Sequence, residues 1–351
     1  MSPLEAARVF VPASVAFLIG IALAPFLAHY LYKNRLWKVR AGKNALDGKP
    51  AEVFNSLHAG RDTGTPRFGG VLVWGSVLLT AGLLSFLSWM FPDPFGALAF
   101  ISREQTWLPL AALLIGAFVG LLDDFFEVKR GGGLRLRLRL GAVALTSLLC
   151  ALWLYYKLGI SSISFPLLGH PLELGILFIP LFMLVALFLY AGGVIDGIDG
   201  LAGGLFATAF AAYAGIALFY TEYDLAAFCA AIAGGSLAFL WFNVPPARFY
   251  LSETGTMGLT LALTVVAFLS DTHAGGKGLT ALPIIALPMV ATVLSNILQM
   301  FGKKVLGRKI LRIAPLHHHF EAIGWPPYKV TMRYWIVGVV TAVVGMSIAI
   351  M

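Results

Sequence analysis

Long apolar runs separated by short polar connections dominate this chain. A helix needs about 20 apolar residues to cross a bilayer, and ten segments approach or reach that length. The predicted spans are residues 9–32, 70–91, 106–122, 138–157, 172–190, 201–220, 225–242, 255–270, 279–300 and 331–351. The pattern predicts an all-α polytopic membrane protein in which residues 1–351 form one integral membrane domain. The first run is long and its flank mixes Glu5 with Arg8, which favours a retained first helix over a cleaved signal peptide.

Composition supports a membrane protein. The chain is 59% hydrophobic and 12% charged, whereas about a quarter of the residues in a soluble domain are charged. The net charge of +8 is therefore expected to lie in loops beside anionic lipid, and it does not indicate nucleic-acid binding. Cys150 and Cys229 both fall inside apolar runs, so their spacing predicts neither a disulfide nor a zinc site.

The basic residues predict the orientation of the chain. Of the 25 lysines and arginines, 21 lie at Arg248 or within residues 33–67, 129–139 and 303–333. The positive-inside rule places these connections in the cytoplasm, and an even number of spans then puts both termini outside it. The polar motifs described below lie in the same connections, so the active site is expected at the cytoplasmic face.

Two adjacent carboxylates, Asp123 and Asp124, follow the apolar run 107–122. A charge next to hydrocarbon costs at least a few kcal/mol, so the pair is expected to face water, a metal or a substrate. Neighbouring helical positions point in different directions, so both carboxylates are expected to reach one site only if the helix breaks. One would bind a divalent cation while the other acts as a base. The alternative is a solvated helix end with Lys129 and Arg130 as counter-ions.

A second acidic motif contains Asp196 and Asp199. On a helix this i,i+3 spacing would place both carboxylates on one face. Gly197 and Gly200 permit close backbone approach or a turn, and amide groups at a helix start suit phosphate. The alternative is a polar loop between two spans.

The stretch 241–255 combines an amide, aromatic rings and a carboxylate. Phe249 or Tyr250 is predicted to stack on a base, and Glu253 to bind a cation. The alternative is an interfacial aromatic belt with a helix cap at Ser252.

Two basic motifs are predicted to recognise phosphate. His317, His318 and His319 lie in a basic segment, and three consecutive helical positions point three ways, which argues against one shared zinc and favours diphosphate recognition. Arg67, in a loop rich in glycine and proline, is suited to a bidentate phosphate contact; the alternative is an ordinary helix entry. The alternating leucines and arginines of 134–140 predict the start of an interfacial helix with snorkelling arginines.

The motifs together resemble those of the phospho-N-acetylmuramoyl-pentapeptide transferase family. The block Ala-Pro-Leu-His-His-His-Phe-Glu at 314–321 is the most specific match. The two aspartate motifs and the Gly-Thr-Pro…Gly-Gly loop at 64–70 match in order, so the resemblance covers nearly the whole chain. The aspartate motifs are shared by the wider superfamily of polyprenyl-phosphate N-acetylhexosamine-1-phosphate transferases.

The resemblance implies a magnesium-dependent, ten-span enzyme of the bacterial inner membrane. It would transfer phospho-MurNAc-pentapeptide from UDP-MurNAc-pentapeptide to undecaprenyl phosphate, giving lipid I and UMP in peptidoglycan synthesis. Family members are dimeric, which implies a homodimer here.

The resemblance also assigns roles to individual residues. The implied catalytic residues are Asp123, Asp124, Asp196, His317, His318 and His319. The implied substrate-binding residues are Arg67, Lys129, Asp199, Asn243 and Tyr250. The implied magnesium ligands are Asp123, Asp124, Asp196 and Glu253.

The chain departs from the family pattern at three motifs. Glu253 stands where the family normally has Asp, and Gly193 where it usually has Asn. Arg67 lies in a Pro-Arg-x-Gly-Gly form that resembles the superfamily branch using UDP-GlcNAc. Three alternatives follow: the same chemistry with UDP-GlcNAc, an inactive homologue that binds lipid or nucleotide, and an ion-coupled transporter. The last predicts inverted repeats and acidic residues near mid-membrane, and neither is evident.

Overall fold

Helices build nearly all of the protein, which a computed structural model describes over residues 2–38, 63–165, 170–272 and 277–351. The first six helices are α1 (Pro3–Lys33), α2 (Gly70–Met90), α3 (Pro92–Phe95), α4 (Trp107–Arg130), α5 (Leu136–Leu152) and α6 (Phe178–Gly192). The others are α7 (Leu201–Phe219), α8 (Tyr223–Asn243), α9 (Ser252–Thr272), α10 (Gly278–Ile285), α11 (Leu287–Val305), α12 (Leu316–Ala322) and α13 (Pro327–Ile350). Strands β1 (Ser162–Ile163) and β2 (Leu172–Glu173) pair antiparallel.

The predicted all-α membrane fold is confirmed. Within the described ranges, nine helices are long and apolar enough to cross a membrane. The ninth predicted span, 279–300, is instead the pair α10 and α11, which are bent by 69° at Ala286 and make ten spans if counted as one. Pro283 lies inside α10 and Pro288 near the start of α11. Proline lacks a backbone N–H and disrupts the preceding turn, which explains the break.

Helix α9 forms the centre of the bundle. Nearly all of its span is buried inside the protein, whereas α1 and α13 leave most of their surface outside. Two hydroxyl groups in the middle of the helix are satisfied within it: Thr260 Oγ1 donates to the carbonyl of Thr256 at 2.8 Å, and Thr264 Oγ1 to that of Thr260 at 2.9 Å. A buried membrane helix can therefore carry these polar residues without unpaired groups.

Glycines bring α4 against α9 at backbone contact. A methyl group added at Gly116 would lie 2.8 Å from the Met257 carbonyl oxygen and from the Gly258 Cα. One added at Gly120 would collide with the Glu253 carbonyl. Small residues permit this close approach of membrane helices, which fixes the start of α9 beside the last turns of α4.

Both ends of the described chain lie at the end of the bundle opposite the start of α9. Glu5 on α1 accepts a hydrogen bond from the Tyr223 hydroxyl at the start of α8. The Ala349 carbonyl near the end of α13 accepts one from the Tyr220 hydroxyl, just after α7. This agrees with an even number of crossings, and the assignment of one side to the cytoplasm remains a prediction.

Candidate active site

The acidic pair lies within α4, two turns before its end. The helix continues past the end of the predicted span at 122 to Arg130 and has no break at Asp123 and Asp124, so the break thought necessary for both carboxylates to reach one site is not needed. Both side chains are buried, with exposed fractions of 2% and 0%. One oxygen of each nevertheless lies within 4.8 Å of the other and of an oxygen of Glu127, which follows three and four positions further along the helix.

Four hydrogen-bond donors surround Asp124. Its Oδ1 accepts from Arg67 Nε at 2.9 Å. Its Oδ2 accepts from Ser252 Oγ at 2.7 Å, Thr254 N at 2.9 Å and Thr254 Oγ1 at 2.6 Å. This carboxylate therefore holds the start of α9 and the loop before α2 against α4. We infer that Asp124 mainly positions its neighbours.

Arg67 lies between two carboxylates of α4. Besides its bond to Asp124, its Nη2 lies 3.0 Å from Glu127 Oε2. Lys38 Nζ lies 2.8 Å from the other oxygen of Glu127. Burial lowers the pKa of the Arg67 guanidinium, but the Asp124 and Glu127 carboxylates outweigh it and raise the pKa above its ordinary value. Arg67 is thus a fixed positive charge at the acidic cluster.

Asp123 faces a different side, towards α5. Its Oδ1 accepts a hydrogen bond from the Leu134 N–H at 2.6 Å. Its Oδ2 lies 3.6 Å from Arg139 Nη1, which also donates to Glu253 Oε1 at 2.8 Å. Arg139 thereby joins α4, α5 and α9. The sequence placed Arg139 only among snorkelling arginines, because no spacing along the chain marks partners that lie on two other helices.

Three carboxylates form a group that fits a metal ion. Asp123, Asp124 and Glu127 each offer one oxygen, and these oxygens lie within 4.8 Å of one another. Hard divalent cations prefer such ligands. Sequence reasoning missed Glu127, although its i+3 and i+4 spacing from the pair was a usable signal. Asp196 and Glu253, also predicted as ligands, do not belong to this group.

The second acidic motif is a loop, not a helix. A short 3₁₀ turn at Gly193–Ile195 is followed by turns up to Gly200, whose φ of 77° precedes α7. The helical alternative for the i,i+3 spacing was therefore wrong. Asp196 Oδ2 accepts from Ser252 N at 2.7 Å, and Asp199 Oδ2 accepts from Ala247 N at 3.1 Å. The loop is tied to the start of α9 and to the segment before it.

Asn243 connects this loop to the aromatic segment. Its Oδ1 accepts from Gly200 N at 2.9 Å and its Nδ2 donates to the Phe249 carbonyl at 2.8 Å. Phe249 is fully buried against Phe239 and Phe242, so the prediction that it could stack on a base was wrong. Tyr250 is only partly buried and remains the aromatic candidate.

Lys129 lies apart from the acidic group. Its side chain is exposed and its Nζ lies 5.6 Å from the centroid of the Phe125 ring. Its predicted contact with substrate stays a prediction.

Two of the three histidines of α12 meet at one place, because the His317 and His318 ring centroids lie 4.3 Å apart, so the expectation that all three would point in different directions was wrong. His317 and His318 are buried, and the Nδ1 of His318 lies 2.6 Å from Glu321 Oε2. His319 Nδ1 accepts from the Arg312 N–H at 3.2 Å. A methyl group at Gly197 would lie 2.6 Å from His317 Nε2 and 2.7 Å from His318 Nε2. Two of the three rings therefore pack directly on the second acidic loop.

Comparison with known proteins gives the family. Residues 106–271 match the family described as glycosyl transferase family 4. Phospho-N-acetylmuramoyl-pentapeptide transferases of Listeria welshimeri and Dichelobacter nodosus are 34% and 33% identical to the chain. These matches cover 96% and 97% of the chain, and 97% and 92% of the relatives. The chain belongs to the phospho-N-acetylmuramoyl-pentapeptide transferase family.

Membership in this family makes the protein a membrane transferase. A further phospho-N-acetylmuramoyl-pentapeptide transferase, from Anoxybacillus flavithermus, is 30% identical over 96% of the chain. The transporter and the branch using UDP-GlcNAc are therefore not favoured. The four motifs used for the resemblance, although far apart in sequence, lie at one end of the bundle.

The packing of the histidines on Gly197 leads to a prediction. Gly197→Ala is expected to lower transferase activity about 10- to 100-fold, because the added methyl displaces His317 and His318 and small misplacements near a reacting centre cost that much. Steady-state product formation measures it. Gly75→Ala is the matched control, since a methyl there meets nothing within 4 Å. Equal activity of the two variants would show that the ring positions are unimportant.

Proposed function

We propose that this transferase moves phospho-MurNAc-pentapeptide from its UDP carrier to undecaprenyl phosphate, giving lipid I and UMP. An oxygen of the lipid phosphate bonds to the sugar-bearing phosphorus, and the bridging P–O bond to UMP breaks. The observation that carries this proposal is the carboxylate group of Asp123, Asp124 and Glu127, the first two buried and the third half-buried, at one end of a membrane bundle, in a member of this family.

A membrane boundary suits the two substrates. The acceptor is a phosphate on a prenyl lipid, and the donor is a charged soluble diphosphate, so they can meet only where bilayer and water adjoin. The protein is proposed to lie in the inner membrane of a bacterium with its site at the cytoplasmic face, because basic connections accumulate on the cytoplasmic side. The homodimer implied by the resemblance belongs to the same proposal.

The carboxylate group is proposed to hold Mg²⁺ through Asp123, Asp124 and Glu127, with Asp196 and Glu253 as further candidate ligands. Bound there, the ion would neutralise the donor diphosphate and the departing UMP. Arg67 forms an ion pair with Asp124 at 2.9 Å, and Arg139 lies 3.6 Å from Asp123.

Asp123 is the better candidate for the base. Asp124 already accepts four hydrogen bonds, whereas Asp123 accepts one short bond from Leu134 and faces Arg139 at 3.6 Å. In this proposal Asp123 takes the proton of the lipid phosphate at pH values where that phosphate is a monoanion. A dianion attacking directly would need no base.

The remaining residues are proposed to bind the donor. His317 and His318, packed on Gly197, would recognise the diphosphate, and His319 would support them. Tyr250 would stack on the uracil. Asp199 and Asn243 join the loop that contains Gly197 to the segment that contains Tyr250, through the bonds to Ala247 and Gly200.

The test is UMP release by purified protein with undecaprenyl phosphate. UDP-MurNAc-pentapeptide and UDP-GlcNAc are offered separately, and release is expected only with the first. Chelation with EDTA should abolish release and added Mg²⁺ should restore it. Release with UDP-GlcNAc alone would contradict the proposed donor, and release unaffected by EDTA would contradict the metal.

Because Glu253 pairs with Arg139, changing Glu253 to Asp, the residue that the family normally has, is expected to lower activity. Glu253→Asp is expected to lower transfer about tenfold, because the shorter side chain withdraws from Arg139 and loosens the group around Asp123. Arg139→Gln should lower transfer about 100-fold, and Arg139→Lys should recover part of it since the charge is retained. UMP release measures all three, and faster transfer by Glu253→Asp would show that the pair does not position the site.

A further inference from the structure

The segment between α4 and α5 lines a cavity that none of these roles uses. The cavity has a volume of about 570 Å³ and is open on one side. Arg130, Arg135 and Arg137 contribute to its lining, together with the apolar Phe126 and Leu138. Three cations and three apolar side chains, Leu134 included, thus surround one space at the start of a membrane-spanning helix.

The arginines leave this cavity strongly positive. Arg135 and Arg137 are exposed, and no carboxylate among the described residues lies within 4 Å of either. Arg130 lies over the Phe126 ring, 4.7 Å from its centroid. Like charges that line one cavity repel one another, so a bound anion would stabilise the segment. Arginine binds phosphate with particular strength.

An exposed apolar stripe continues from the cavity along α5. Leu138, Leu145 and Leu149 are 59%, 59% and 55% exposed. They lie seven and four residues apart and therefore on one face of the helix. Gly141, between them, has open space where a side chain would be. A ligand that fits both features carries an anionic head and an extended hydrocarbon chain.

We propose that this cavity binds the phosphodiester headgroup of an anionic bilayer phospholipid, with an acyl chain along Leu138, Leu145 and Leu149. Basic pockets beside membrane helices bind such headgroups. The cavity also shares a wall with the acidic group, because Leu134, which lines it, donates its N–H to Asp123 at 2.6 Å. The bound headgroup would hold the segment that positions Asp123. This effect on Asp123 rests on the proposed transfer reaction, whereas the binding of the headgroup does not.

Native mass spectrometry of the purified full chain tests the binding. Phosphatidylglycerol and phosphatidylcholine with identical acyl chains are added separately, and the protein is expected to retain the first preferentially. Arg135→Gln/Arg137→Gln should bind phosphatidylglycerol about 30-fold more weakly, since each basic residue near a membrane surface contributes about 1 kcal/mol. Arg308→Gln/Lys309→Gln, with the same loss of charge beside α12, should bind like the unaltered protein. Matching thermal midpoints would show that both variants are folded.

Each alternative has its own outcome. Equal retention of the two phospholipids, or equal losses in both double variants, would overturn the proposal in favour of apolar contact or overall charge. Displacement of phosphatidylglycerol by an equal concentration of undecaprenyl phosphate, or by inorganic phosphate, would assign the cavity to the acceptor or to free anions and also overturn it. UMP release with and without phosphatidylglycerol tests the link to Asp123. Selective lipid binding without any transfer would contradict only the proposed function.

Discussion

Replacing Asp124 by Asn is expected to destabilise the folded transferase by about 3–5 kcal/mol, the usual cost of breaking a buried ion pair. Every group around this carboxylate donates a hydrogen bond: Arg67, Ser252 and both donors of Thr254. The Asn amide would place an N–H against one or more of these donors and leave Arg67 short of negative charge. Transfer should be lost together with the fold of the site.

Thermal unfolding in detergent, followed by tryptophan fluorescence, measures this effect. Asp93→Asn is the matched control. Asp93 is exposed and lies just after the end of α2, whereas Arg67 lies just before its start, so this variant should have an unchanged thermal midpoint. An Asp124→Asn protein that is as stable as the control but inactive would instead make Asp124 a residue that acts directly on the substrates.

Replacing Asp123 by Asn is expected to lower UMP release about 10²- to 10³-fold, the usual cost of removing one electrostatic group from a catalytic site, with little change in thermal midpoint. The Asn oxygen can still accept the hydrogen bond from Leu134, so the local structure is retained. The loss of this charge weakens the binding of Mg²⁺ to the group that Asp123 forms with Asp124 and Glu127. The Mg²⁺ concentration that gives half-maximal release should therefore rise.

A titration of UMP release against Mg²⁺ separates the two contributions. Asp93→Asn again provides the control, since it removes the same charge far from the site. Release close to that of the control at every Mg²⁺ concentration would remove Asp123 from the chemistry. Activity restored fully by excess Mg²⁺ would make it a ligand and not a base.

The sequence predicts the spans well because each depends on the composition of one local segment. The break at Ala286 could have been found in the sequence, because Pro283 and Pro288 flank it. The continuation of α4 past Asp124 could not be read from hydropathy, because Phe125 to Arg130 form a polar end of the helix that lies beyond the apolar run.

The acidic residues of the site were predictable in part. Asp123, Asp124 and Asp196 belong to recognisable motifs, and Glu127 follows from helical spacing. The role of Arg139 could not be predicted, because it depends on contacts among three helices. The spacing of residues along the sequence does not give the distances between those helices. The burial of Phe249 is likewise set by packing against Phe239 and Phe242 on α8, because the loop after that helix folds back onto its last turns, which the local sequence does not reveal.

The glycine contacts between α4 and α9 limit how the site can change during evolution. With Gly116 and Gly120 at backbone contact, the two helices can neither approach further nor accept a side chain that separates them. Divergence within such a site must therefore come from changes in the length of side chains and in the residues with which they pair, as with Glu253 and Arg139. Drift towards new substrates is expected to spare these glycines and to proceed through paired substitutions of acid and base.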